Sequence, residues 1–308
     1  MAAVASSAAV ADKLRGAGLS EAAVTAFLSN YDKLLEGESG LIPEADISAA
    51  TSLPRLEDLA SEAATPDLLA KTVVIKLNGG LGTSMGLERA KSLLVVKDGK
   101  SFLDLIAEQV AHAAGVDFVL MNSFSTDADT RAALAKSHPA LLEGARGDDL
   151  VLLQNKSPKI DAATMAPVSW PEAPDLEWCP PGHGDIYASL LGSGMLDRLL
   201  DAGKRYAFVS NSDNLGAVLS PALIAHFASS GAAFMMEVAE RTEVSLPPSP
   251  FPQNLFHILF PSPQKSCATR ISYARMPDQL NPSFQPTHAM RRRTRRAGTS
   301  PSARVTVA

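Results

Sequence analysis

Between Lys71 and Val238 short β-branched, apolar runs alternate with amphipathic segments, and this alternation constrains the fold more than any other feature of the 308 residues. The runs are Thr72-Val73-Val74-Ile75-Lys76-Leu77, Phe118 to Met121, Val151 to Leu153, Tyr206 to Val209 and Phe234 to Val238. Each is the length of a buried strand and carries no proline. Between them, Ser101-Phe102-Leu103-Asp104 forms a capping box that opens a helix ended by Gly115. Asp127 to Ser137, Ile186 to Leu200 and Pro221 to Ser229 read as further helices. Strands that alternate with helices give a mostly parallel sheet covered on both faces, an α/β architecture. Ligands of such sheets bind beyond the carboxyl ends of the strands, so the loops that follow the strands are where chemistry is sought.

Three segments divide the chain on composition. Residues 1–70 read as a helical arm. An alanine-rich, frayed start is followed by an amphipathic helix from Ser20, with Val24, Phe27, Leu28, Tyr31, Leu34 and Leu35 on one stripe and Gly37 at its stop. Pro43, Pro54 and Pro66 then punctuate a connecting stretch. Residues 71–244 hold the alternating pattern. Residues 245–308 hold ten of the 21 prolines and nine basic residues against one acidic residue, and are expected to be disordered. No apolar run nears the ~18 residues of a membrane span. Cys179 and Cys267 are too few for a disulfide framework. A cytoplasmic protein is the resulting expectation.

Three loops carry candidate chemistry. Leu77-Asn78-Gly79-Gly80-Leu81-Gly82-Thr83-Ser84-Met85-Gly86 follows the first strand, and its four glycines let backbone amides approach a phosphate. It lacks the Gly-Lys-Ser/Thr of a Walker loop and the third glycine of a dinucleotide fingerprint. Lys91, a few residues on, is a point charge suited to neutralising a polyphosphate, though a solvated surface lysine reads the same way. Trp178 to Tyr187 contains Pro180-Pro181-Gly182-His183-Gly184-Asp185, with glycines that leave room for a planar base or sugar and an aspartate placed to cap a helix. Ser210-Asn211-Ser212-Asp213-Asn214 puts a carboxylate at the end of a buried strand, where Mg²⁺ completes its octahedron with phosphate oxygens and water. The plain alternative there is an Asx-rich turn.

Taken in order, KLNGGLGTSMG, AKSLL, FLDL, VLMNSF, WCPPGHGDIYASL, FVSNSDNLG and FMMEVAERTE resemble the UTP–glucose-1-phosphate uridylyltransferase (UDP-glucose pyrophosphorylase) family over about Lys71 to Val244. The resemblance implies a Rossmann-like, glycosyltransferase-A-like nucleotidyltransferase domain, incomplete at its carboxyl-terminal side. It implies Mg²⁺-dependent uridylyl transfer from UTP to glucose 1-phosphate, giving UDP-glucose and pyrophosphate. By the same resemblance Leu77, Asn78, Gly79 and Gly80 form the UTP cradle, with Gly79 and Gly80 also near the sugar phosphate. Lys91 contacts the triphosphate, and Gln154 and Gly182 contact the uracil. His183, Asn211, Ser212 and Asp213 meet the glucose phosphate and ribose, and Asp213 is the metal ligand.

Two departures bear on that reading. Arg89-Ala90 stand where the family often has Gly-Pro before the lysine. Past Glu243-Val244 the family's continuation, with the rest of the sugar pocket, a second functional lysine and a β-helix domain, is not recognisable, so a weak or inactive catalyst is expected. A non-catalytic UTP-binding fragment and a uridylyltransferase for another sugar 1-phosphate are the alternatives. The basic run Arg291-Arg292-Arg293-Thr294-Arg295-Arg296 has no interleaved aromatics and reads as a solvated tail, with no specific nucleic-acid role. Oligomeric state is left open.

Overall fold

The computed structural model describes residues 7–48, 53–59, 65–81, 89–112, 115–143, 149–239 and 268–276. The chain begins with two helices, α1 (Ser7–Gly16) and α2 (Glu21–Leu35). The second starts where the stripe of apolar residues predicts: Ser20 caps it by accepting from the Ala23 amide at 3.3 Å, and Gly37, at φ +79°, turns the chain out of it. The first corrects the expectation of a frayed terminus. Val10, Ala11 and Leu14 fall on one face, and their burial against Val24 and Tyr31 holds the helix in place. This pair docks on the main domain, where Tyr31 donates its hydroxyl to the Met165 carbonyl at 2.7 Å.

The core is a six-stranded sheet flanked by α3 (Pro66–Ala70), α4 (Phe102–His112), α5 (Asp127–Ser137), α6 (Pro139–Glu143), α7 (Ile186–Gly192), α8 (Met195–Asp201) and α9 (Pro221–Ser230). Its strands are β1 (Thr72–Asn78), β4 (Asp117–Asn122), β5 (Val151–Leu153), β8 (Tyr206–Asn211), β9 (Phe234–Ala239) and β10 (Ala268–Arg275), in the order β5-β4-β1-β8-β10-β9. The short ribbons β2 (Val95–Lys97) with β3 (Lys100–Ser101), and β6 (Ser157–Pro158) with β7 (Trp178–Cys179), lie outside it. From β5 to β8 every pairing is parallel. A central parallel strand is buried on both faces, which is why β1 reads as a mostly apolar run with Lys76 as its one charged residue. Val73 and Ile75 pack with Ile186, Leu190, Met195 and Leu199 of α7 and α8, whereas Val74 packs with Phe208, Ile224 and Phe227 on the α9 side.

Two expectations change here. Ile186 to Leu200 is not one helix: Gly194, at φ +70°, breaks it into α7 and α8. The segment 245–308 is not wholly without structure. β10 enters the sheet between β8 and β9, antiparallel to both. The physical reason is local: between Pro263 and Pro277 the chain is free of proline, and Thr269, Ile271 and Tyr273 favour a strand. Met276, just after β10, is buried in the core, and the rest of that segment, Cys267 included, lies outside the described residues. Among the described residues no helix is long and apolar enough to cross a membrane.

Candidate functional site

Parallel pairing brings the loops after β1, β4 and β8 to one edge. Asn78 is in register with Asn122, and Leu77 with Asn211, so the three strands end at the same level. The Ser212 amide donates to the Leu77 carbonyl at 3.0 Å, which laces the Asx-rich loop to the start of the glycine loop. That loop returns to the sheet edge at Lys91, whose amide donates to the Gly80 carbonyl at 3.1 Å beside a bridge between Leu81 and Ala90. Residues 82–88, with Gly82 and Gly86, lie outside the described residues.

At this edge Lys91 Nζ meets Asp213 Oδ2 at 2.5 Å, across 122 positions of sequence. Both side chains are part-exposed, at 36% and 24%, so solvent and a ligand reach them. A cation and an anion held at the mouth of a glycine loop are complementary to a ligand that brings both signs of charge.

A buried polar layer supports the glycine loop. The Asn78 side-chain amide donates to Asn122 Oδ1 at 2.8 Å and Thr130 Oγ1 at 3.1 Å, and Asn122 donates in turn to Asp127 Oδ1 at 2.9 Å. Thr126 Oγ1 donates to the Asn78 carbonyl and Ser123 Oγ to the Gly79 carbonyl, at 2.8 and 2.9 Å. Asn78, 2% exposed, therefore has its side chain in the scaffold beneath the cradle rather than in its surface. Sequence reading did not single out Asn122, Ser123, Thr126 or Thr130. Asn122 and Ser123 fall in the VLMNSF segment at the end of a buried strand, which gave them a place but no role, and Thr126 and Thr130 carried no signal of their own.

Gln154 follows β5, is 7% exposed, and lies against Gly79. A Cβ added to Gly79 would stand 2.6 Å from Gln154 Nε2. Glycine here makes room for a neighbouring amide. The next residue, Asn155, ties this strand end to the third loop: its backbone and side-chain amides donate to the Asp185 carboxylate at 2.7 to 3.1 Å, and Ser189 Oγ donates to the same carboxylate at 2.6 Å. Asp185 is thus not the helix cap expected of it; no backbone amide of α7 is bound by its side chain. It fixes instead the turn in which Gly182, at φ +98°, and the exposed His183 stand on the rim. Among the described residues no hydrogen bond or ion pair joins His183 to Lys91 or Asp213.

The match to known proteins covers these same elements. Residues 24–247 match the UTP–glucose-1-phosphate uridylyltransferase family. The chain belongs to that family. A probable UTP–glucose-1-phosphate uridylyltransferase of Schizosaccharomyces pombe is 42% identical over 188 residues, which are 58% of this chain and 36% of that protein. The enzyme of Musa acuminata is 36% identical over 239 residues, 73% of this chain and 50% of the relative. A mutant UDP-glucose pyrophosphorylase of Leishmania major, solved with UDP-glucose, superposes with a TM-score of 0.80 at 36% identity, covering 89% of this chain and 64% of that one. The chain thus spans between about a third and a half of these curated relatives.

Within a uridylyltransferase-family domain, the sheet edge brings Leu77 to Gly80, Lys91 and Asn211 to Asp213 together directly, and Gln154 joins them through Gly79. Gly182 and His183 are joined only through Asp185 and Asn155. Among the described residues no three His, Cys, Asp or Glu side chains group to hold a metal by themselves. One accessible carboxylate suffices for Mg²⁺ where phosphates and water supply the other ligands, so Asp213 fits that ion in the presence of a nucleotide.

Proposed function

We propose that this chain binds Mg²⁺ and UTP at the edge formed by β1, β4 and β8, and that the reaction served there is uridylyl transfer from UTP to α-D-glucose 1-phosphate. The observation that carries the reading is the Lys91–Asp213 pair at the mouth of the glycine loop. Lys91 takes the triphosphate and Asp213 the metal, so their mutual pair is exchanged for two pairs with the ligand. The backbone from Leu77 to Gly80 cradles the phosphates. The Gln154 amide pairs with the uracil edge, and Gly182 leaves space for the ring. Asn211, Ser212 and His183 meet the ribose and the sugar phosphate.

An oxygen of glucose 1-phosphate attacks the α-phosphorus of UTP in line. One P–O bond forms, the bond to pyrophosphate breaks, and no proton or covalent enzyme intermediate is required. Mg²⁺, when bound by Asp213, would neutralise charge on the phosphates. Catalysis by the chain's own residues then rests on positioning and on the charge of Lys91. A cytoplasmic location fits this reading.

A second reading has its own support. A UTP-binding unit without turnover needs only the phosphate and uracil contacts of this edge, Lys91 at the glycine loop and Gln154 against Gly79. Titration of UTP beside a coupled assay for pyrophosphate, with glucose 1-phosphate and Mg²⁺, separates the two. Binding with release supports the transferase and binding without release supports the unit. Failure to bind UTP overturns both.

A further inference from the structure

Lys76 is a charged residue in the centre of the sheet. It lies on β1, two residues before the glycine loop, on the face that Val74 and Phe208 present to α9. It is 3% exposed, and its Nζ stands 5.8 Å from the centroid of the Phe208 ring. The parallel register sets it beside Ser210 of β8, whose buried hydroxyl has no hydrogen-bond partner among the described residues. Among those residues no carboxylate pairs with it. Its one acceptor among the described residues is the Ala217 carbonyl at 2.8 Å.

Ala217 belongs to the loop that leaves β8 after Asn211 and carries Ser212 and Asp213. Within that loop the Ala217 amide donates to the Asn214 carbonyl, and the Asn214 amide to the Asn211 carbonyl, both at 3.2 Å. A pull on Ala217 is therefore passed back, turn by turn, to the end of β8. A second side chain grips the loop from α4, where Gln109 Nε2 donates to the Leu215 carbonyl at 3.1 Å. A buried ammonium is costly and is held only by strong polar contacts. A methionine of similar length would fill the same space without that cost, but would leave the loop ungripped at Ala217.

We propose that Lys76 is a positioning residue whose buried ammonium anchors the 212–217 loop through the Ala217 carbonyl and so sets Asp213 opposite Lys91. Asp213 touches the ligand and Lys76 does not. The proposal builds on the nucleotide site described above, but its first test needs no nucleotide. In the unliganded full chain, hydrogen exchange over residues 212–217 is compared between the natural protein and Lys76→Met. A charged hydrogen bond to the loop is removed, so exchange there is expected to rise about tenfold or more, with α5 unchanged. Unchanged exchange over 212–217 overturns the anchor.

The second test is a double-mutant cycle on Mg²⁺-UTP titration. Lys76→Met is expected to weaken binding about tenfold when Asp213 is present, and less than about twofold in an Asp213→Asn background. A residue that merely stabilises the sheet gives equal losses in both backgrounds, and that result overturns the positioning role. Should Lys76→Met fail to fold, Lys76→Gln keeps a donor but is uncharged and one bond shorter, so it holds the Ala217 carbonyl more weakly. Partial loosening of 212–217 in that variant supports the anchor, and none overturns it. If the natural chain binds no UTP, the nucleotide reading fails, and the exchange measurement decides the anchor by itself.

Discussion

Replacement of Gly79 by alanine separates what the glycine loop does for the fold from what it does for a ligand. The new Cβ would stand 2.6 Å from Gln154 Nε2, 3.1 Å from Cδ and 3.3 Å from Oε1. Ordinary contacts need ~3.5 Å, so the amide group must move by about 1 Å. The obstacle is the end of a flexible side chain, and leaving its preferred rotamer costs about 0.5–1.5 kcal/mol. The lower entropy of the unfolded alanine chain offsets about 0.4–1 kcal/mol of this. Net stability is thus expected to change by less than about 1 kcal/mol, within the reach of a urea titration. Affinity is another matter. If the Gln154 amide reads the uracil edge, its displacement removes one or two hydrogen bonds, about 1–3 kcal/mol or roughly 5- to 150-fold in Kd. Calorimetric titration with UTP and with ATP is expected to show a weakened UTP affinity and a narrowed preference over ATP. Gln154→Ala should do the same, and the double variant should lose little more than either single one. Natural UTP affinity in Gly79→Ala at unchanged stability would refute the role given to Gln154.

Three further outcomes are expected. Burial holds the Lys76 ammonium at about 8, against 10.5 for a free lysine. Between those values the unfolded chain binds the extra proton, so this residue's contribution to unfolding free energy rises with pH, by up to about 3 kcal/mol; urea titrations near pH 7 and pH 10 should show that rise in the natural chain and lack it in Lys76→Met. Asn78→Ala strands Asn122 Oδ1 in a buried layer, whereas Thr130 Oγ1 keeps its bond to the Thr126 carbonyl, and should cost about 1–3 kcal/mol of stability for the one polar group left unpaired, read by the shift of a denaturation midpoint. Asp185→Ala leaves the Asn155 amides only the longer bonds to the Ser189 hydroxyl, and faster hydrogen exchange over residues 155 and 182–189 is the expected result.

Much of this architecture was legible in the residues because strand and helix periods are local properties. The run Thr72 to Leu77, the capping box at Ser101 and the stripe from Val24 to Leu35 each specify an element without help from the rest of the chain. The edge at which the glycine loop, Lys91 and Asp213 meet followed from parallel pairing, a rule of topology rather than of these residues. The parts that were missed depend on distant partners. α1 is short and is stabilised by burial against α2. β10 is set in a proline-rich segment, and only the open slot between β8 and β9 gives its backbone a ladder to join. Lys76 looked like one polar residue in a strand, and the role of its ammonium depends on where a loop 141 positions away places a carbonyl. Asp185 had the position of a helix cap, but the amides of Asn155 outcompete those of its own helix.

The exchange of one ion pair for two is tested most directly by titrating UTP into the full chain with and without Mg²⁺, beside Asp213→Asn and Lys91→Ala. Mg²⁺ is expected to strengthen UTP binding in the natural chain, to have no effect in Asp213→Asn, and to leave Lys91→Ala weaker at every Mg²⁺ concentration. Titration curves that coincide for all three proteins, or a natural chain indifferent to Mg²⁺, would contradict the assignment of Lys91 to the triphosphate and Asp213 to the metal.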